Sequence, residues 1–193
     1  MSVDDEALLE RARRGDRDAF GELVVRHQDG LYTMALRVLG RPEDAADVVQ
    51  ETFLRAYVNL PRMRALSVRG WLYRVAINAS RDVQRRMSRR PADPLEDTEG
   101  KIVDLPDPAL GPEATAESRE RMAAVRQALA GLPLEYRSAV VLRDVNDLSY
   151  EEIAEVLRVP LGTVKSRLNR ARAQLAQALR GSPALFGAVE GRG

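Results

Sequence analysis

The stretch from Leu148 to Leu179, LSYEEIAEVLRVPLGTVKSRLNRARAQLAQAL, restricts the possible folds of this chain more than any other. Ser149 stands three residues before Glu152, the spacing at which a hydroxyl and a carboxylate reciprocally satisfy the free N–H groups of a helix start. The short helix opened there buries Ile153, Ala154 and Leu157, and Arg158, Val159 and Pro160 break it. A second helix begins near Leu161 to Thr163 and carries Val164, Leu168, Ala171 and Leu175 at steps of four, three and four, a single apolar stripe. Two helices joined by a tight turn follow, the helix-turn-helix arrangement.

At about 100° per residue, the face opposite that stripe is centred on Ser166, Asn169, Arg170 and Ala173, with Lys165, Arg167 and Arg172 on its flanks. From Leu161 to Arg180 there are five basic residues and no acid. A surface helix made for solubility mixes both signs; this one carries only cations. In a helix-turn-helix the second helix enters the major groove, where Arg pairs with guanine edges and Asn with adenine edges while flanking cations meet phosphates. Ser166, Asn169 and Arg170 are therefore predicted to face bases, and Lys165, Arg167 and Arg172 the DNA backbone.

Charge is segregated elsewhere too, although the net charge is only +1. From Arg69 to Arg90 seven arginines face one acid, Asp82, whereas from Pro91 to Glu120 nine acids face Lys101 and Arg119. The first is a second candidate surface for a polyanion. The acidic stretch contains Pro91, Pro94, Pro106, Pro108 and Pro112 and loses helical spacing, which is a linker composition. Its charge suits shielding of the basic faces or occupation of a basic channel in a partner.

On either side of it the spacing is helical. Leu23, Leu31, Met34, Ala35 and Val38 share one face; Gly40, Arg41 and Pro42 punctuate; Val48, Val49, Phe53 and Tyr57 are predicted to form the buried side of the next helix, which Pro61 ends. Asp44, Asp47, Gln50, Glu51 and Arg55 share its polar side. Trp71, Val75 and Val83 mark the helix that carries the basic run, and Met122, Val125, Leu129 and Leu132 resume the pattern, followed by Val140, Val141 and Leu142. Trp71 and Tyr73 could support base stacking beside the arginines, although the spacing of Trp71 with Leu72 and Val75 favours a core role for the tryptophan.

The expected fold is all-α: two small helical domains at 4–87 and 118–180, an acidic linker at 88–117 and a flexible tail at 181–193. Apolar residues at 45% of the chain suffice for helical cores. The chain has no cysteine, which excludes disulfides and thiolate chemistry. Without an apolar leader or a span-length apolar run, it is expected in the cytoplasm with no membrane insertion. No glycine-rich phosphate loop follows a strand, and the single histidine, His27, lacks a partner set for metal binding, so neither enzymatic activity nor a cofactor is expected. A stand-alone repressor or activator and a helical adaptor are the other classes the residues allow.

These motifs resemble the extracytoplasmic-function RNA polymerase sigma factors of the sigma-70 family. LSYEEIAEVL followed by PLGTVKSRLNRAR is similar to their C-terminal region 4, DAADVVQETFLRAY to the helix that docks on the clamp coiled coil of the largest polymerase subunit, and RGWLYRVAINASRDVQRR to their −10-reading segment. The resemblance covers about residues 4–87 and 118–179. It implies a −35-reading set of Thr163, Lys165, Ser166, Arg167, Asn169, Arg170 and Arg172. It implies a set for the melted −10 strand of Asn78, Arg81, Asp82, Arg85 and Arg86, and a polymerase-docking set of Asp44, Asp47, Gln50, Glu51 and Arg55. Core RNA polymerase, promoter DNA (duplex at −35, single-stranded at −10) and an anti-sigma factor are the partners it implies, with promoter-specific initiation as the function.

Overall fold

The computed structural model describes residues 3–62, 67–89 and 115–180, among which there is no strand. Helices α1 (Val3–Arg13), α2 (Arg17–Leu39), α3 (Pro42–Asn59) and α4 (Val68–Arg89) form an N-terminal unit. Helices α5 (Ala116–Ala130), α6 (Leu134–Val140), α7 (Tyr150–Leu157) and α8 (Leu161–Arg180) form a C-terminal one. Most of the expected acidic linker and all of the expected tail lie outside the described residues.

Local chemistry sets the helix ends. The Asp16 carboxylate accepts from the Ala19 N–H at 3.1 Å to start α2. Gly40, at φ 76°, ends it by donating its N–H to the Leu36 carbonyl. Pro42 then occupies the first turn of α3, where its missing N–H costs nothing. Along α2, Leu23, Leu31, Met34, Ala35 and Val38 are all buried, as their spacing predicts.

Helix α3 differs from expectation. Its buried stripe is Ala45, Val48, Thr52 and Ala56, while Val49 and Phe53 are half-buried and Tyr57 is 48% exposed. Its small residues face α2 and α4 and the larger ones turn to the rim, where the Tyr57 ring packs edge-on against Phe20 at 5.2 Å. Thr52 stays satisfied in the core by donating to the Val48 carbonyl at 2.7 Å.

In the C-terminal unit α6 runs into a π-helical turn, Val141–Val145, which the apolar run Val140–Leu142 did not foretell. From within that turn the Arg143 guanidinium lies 5.4 Å from the centre of the Tyr150 ring and donates to the Leu148 carbonyl.

The two units pack against each other, α4 on α7 and α2 on α5, and their apolar cores are continuous. Polar bonds stitch the seam. Asn146 donates its side-chain amide to the Gly30 carbonyl and to the Tyr73 hydroxyl, both at 3.0 Å, while its backbone carbonyl accepts from Arg69. Arg74 donates to the Glu155 carbonyl at 2.8 Å. Buried Arg137 reaches the Val38 carbonyl at 2.6 Å and the Leu132 carbonyl at 3.0 Å; burial pushes its pKa down, and the carbonyls offset the cost of the buried charge. Tyr73 is thus buried in the seam, not exposed beside the arginines for stacking. Trp71 is half-buried against the core, its expected place.

Candidate nucleic-acid interface

The helix-turn-helix forms as its sequence requires. The Ser149 hydroxyl accepts from the Glu152 N–H at 3.1 Å, and the Glu152 carboxylate accepts from the Ser149 N–H at 2.7 Å. Helix α7 buries Ile153, Val156 and Leu157 and ends at Arg158, a left-handed residue at φ 55° whose N–H closes on the Ala154 carbonyl. Val164, Leu168 and Ala171 then anchor α8 in the core, with Leu175 half-buried beside them.

That anchoring turns Lys165, Ser166, Asn169 and Arg170 outward, all exposed, and leaves Thr163 half-buried. The Ser166 hydroxyl donates to the Thr163 carbonyl at 2.9 Å, so toward a base it presents acceptor lone pairs. The three arginines of the predicted set are each met from α6 or the π turn. Arg167 lies 3.5 Å from the Glu135 carboxylate, Arg170 donates to the Tyr136 hydroxyl at 3.2 Å, and Arg172 makes a two-point pair with Asp144 at 2.6 and 3.2 Å. That hydrogen bonding raises the Arg172 pKa above its ordinary value.

On α4, Asn78, Asp82, Arg85 and Arg86 are exposed. Asp82 lies 3.7 Å from Arg85. Arg81 departs from this group: it is half-buried toward the seam, and burial, followed by the neighbouring charge of Arg167, lowers its pKa. The charge of Glu135, which pairs with Arg167, also acts on Arg81, in the opposite direction to burial.

On α3, Asp47 and Gln50 are exposed, Asp44 lies 3.5 Å from Arg41, and Glu51 pairs with Arg55 at 2.6 Å. Among these polar groups Leu54 and Val58 are 57% and 76% exposed, which the sequence reading missed. Their signal is apolar character on the polar face: at about 100° per residue Leu54 lies on the same side as Asp47 and Gln50, away from Thr52 and Ala56. His27, as expected, is a satisfied helix residue, its Nε2 lying 2.9 Å from the Asp5 carboxylate. No metal-binding group of acids or histidines occurs among the described residues, and none of their helices is long and apolar enough to cross a membrane.

A cationic recognition helix on a capped helix-turn-helix, joined to a second all-helical unit with its own basic helix, defines a two-part DNA-binding protein. Comparison with known families makes this specific. Residues 23–90 match the model for sigma-70 region 2, and residues 122–175 match that for sigma-70 region 4. The chain is 38% identical to the RNA polymerase sigma-H factor of Pseudomonas aeruginosa, over 91% of this chain and 93% of that protein. It is 36% identical to the ECF RNA polymerase sigma factor SigW of Bacillus subtilis, over 89% and 95%. Among solved structures, CnrH in complex with the cytosolic domain of CnrY is similar at a TM-score of 0.70 and 30% identity, covering 92% of this chain and 97% of that one. The sigma factor RpoE in complex with the anti-sigma factor NepR from Bartonella quintana shares the fold, with a TM-score of 0.65 and 22% identity, over 84% of this chain and 97% of that one. The chain belongs to the extracytoplasmic-function RNA polymerase sigma factors of the sigma-70 family. As such it is a transcription initiation factor: it binds core RNA polymerase and directs promoter-specific initiation at −10 and −35 elements.

Proposed function

We propose that three surfaces divide this work. Helix α8 reads the duplex −35 element, with Ser166, Asn169 and Arg170 toward base edges and Lys165 toward phosphate. The exposed face of α4, with Asn78, Asp82, Arg85 and Arg86, engages the displaced −10 strand, and Arg81 joins it once released from the seam. Helix α3 docks on core polymerase through Asp44, Asp47, Gln50, Glu51 and Arg55, with Leu54 and Val58 as apolar anchors among them. The catalytic step stays with the polymerase, and the chain acts in the cytoplasm without a cofactor. Its regulatory partner is an anti-sigma factor, the class of protein bound to the RpoE relative.

The observation that carries the reading is the outward, acid-free face of α8, with Lys165, Ser166, Asn169 and Arg170 exposed on a helix whose opposite side is locked into the core. Reconstitution with core polymerase on a promoter library tests it. Arg170→Ala is expected to cost about 1–3 kcal/mol and to relax one −35 position. Equal loss at every sequence would remove Arg170 from the base-reading set.

A further inference from the structure

Arg170 is held differently from its neighbours on α8. Arg167 and Arg172 are met by carboxylates, those of Glu135 and Asp144, whereas Arg170 is met by the neutral hydroxyl of Tyr136, 34 residues earlier in the first turn of α6. A carboxylate cancels much of an arginine's charge and competes with the acceptors of a base. A hydroxyl orients the group and leaves its charge intact. The Tyr136 ring is half-buried against the core, so its hydroxyl is a fixed point on the domain.

The donor count suits this arrangement. A guanidinium carries five N–H groups, and the bond to Tyr136 uses one on Nη1. The second Nη1 hydrogen and those on Nη2 stay available for the two-point contact that arginine makes with guanine O6 and N7. A long side chain already restrained in the free protein loses less rotamer freedom on binding.

We propose that Tyr136 is a specificity-positioning residue for promoter reading, restraining the Arg170 guanidinium so that it presents a pair of N–H groups to one purine of the −35 element. This rests on the assignment of Arg170 to a base edge made above. Restraint of one such side chain is expected to sharpen preference at that base pair by roughly 2- to 10-fold.

The test is holoenzyme reconstituted from core polymerase and the full chain, carrying wild type, Tyr136→Phe, Arg170→Ala or both, with transcription starts read over promoters randomised at −35. Tyr136→Phe keeps the ring and removes only the hydroxyl. It is expected to relax the same position as Arg170→Ala, to a smaller degree, with the other positions, the salt dependence and the melting temperature unchanged. In the Arg170→Ala background it should add nothing. A Tyr136→Phe profile identical to wild type, beside a relaxed Arg170→Ala profile, would overturn the positioning role and leave the reading of α8 standing. A uniform loss at all sites or a lowered melting temperature would mark Tyr136 as merely structural and also overturn it. If Arg170→Ala relaxes no position, the base-edge assignment fails and the role of Tyr136 with it.

Discussion

The side-chain amide of Asn146 donates to the hydroxyl of Tyr73 at 3.0 Å, tying the end of the π turn in one unit to helix α4 of the other. The same amide holds the Gly30 carbonyl, and Gly30 is itself required there: a Cβ at that position would stand 2.7 Å from the Tyr73 hydroxyl. Asn146→Ala leaves the buried Tyr73 hydroxyl and the part-buried Gly30 carbonyl without this donor and is expected to lower stability by about 1–3 kcal/mol in denaturant titration. Gly30→Ala should lower it as well, by displacing Tyr73, although alanine is the better helix former. A Gly30→Ala variant more stable than wild type would show that the seam does not hold these groups in solution.

The seam also bears on promoter binding. Elements 25 base pairs apart along B-form DNA are separated by about 85 Å at 3.4 Å per step, far more than two small packed domains span. Arg74 and Arg81 are partly buried in the seam. The units are therefore expected to separate when both elements are bound. Because the chain has no cysteine, Arg14→Cys with Gln177→Cys gives two unique dye sites. Energy transfer between them should fall when core polymerase and promoter are added together. Transfer that stays constant while initiation proceeds would refute separation.

Leu54 and Val58 project from α3 into solvent, so changing them should spare the fold. Leu54→Asp is expected to weaken association with core polymerase about 10- to 100-fold, the equivalent of one buried aliphatic side chain. Anisotropy of labelled protein titrated with core polymerase measures this. Unchanged affinity, with a normal melting curve, would exclude the patch from docking.

Much of this was legible beforehand, for physical reasons that differ by element. The helix-turn-helix could be read because the Ser149–Glu152 box and the stripe Val164, Leu168, Ala171 are local signals, complete within a few turns. Gly40 and Pro42 are equally local. The seam is not, because the partners that Tyr73, Asn146 and Arg137 meet across it lie 73 to 116 residues away in the chain, and a polar side chain does not announce which carbonyl it will meet. Tyr57 stands on the rim and not on the expected buried side because close approach of helices selects small residues such as Ala45 and Ala56, so size is no guide to burial there. Charge and angle point Arg172 toward phosphate; its pair with Asp144 comes through the π turn, a departure from α-helical spacing that the run Val140–Leu142 does not encode.

His27 gives the fold a dependence on pH. Burial pushes its imidazole below the ordinary value, against the pull of Asp5, and the nearby charges of Arg69 and Arg26 act in the same direction as burial. The unfolded chain therefore takes up the proton more readily than the folded one. This stability is fully present above the ordinary value of about 6.5 and is lost as pH falls through the lower folded value. Melting curves between about pH 7.5 and 5 should show wild type losing stability, with a smaller loss for His27→Gln. Equal losses would locate the effect elsewhere.

The two-point pair between Arg172 and Asp144 separates charge that is matched within the protein from charge offered to DNA. Each phosphate neutralised by a cation contributes about 0.9 to the slope of log affinity against log salt on duplex DNA. Lys165 is exposed at the N-terminal part of α8 and is expected to contribute such a step, so Lys165→Ala should flatten the slope by about that amount. Arg172→Ala should leave the slope near wild type, because the pair with Asp144 persists when DNA binds. Since that pair is largely exposed, its removal is expected to cost about 1 kcal/mol or less of stability. Asp144→Asn provides the complementary measurement: with its carboxylate neutralised, Arg172 becomes available to phosphate and the slope should steepen. A slope flattened equally by Arg172→Ala and Lys165→Ala would return Arg172 to the set of phosphate contacts.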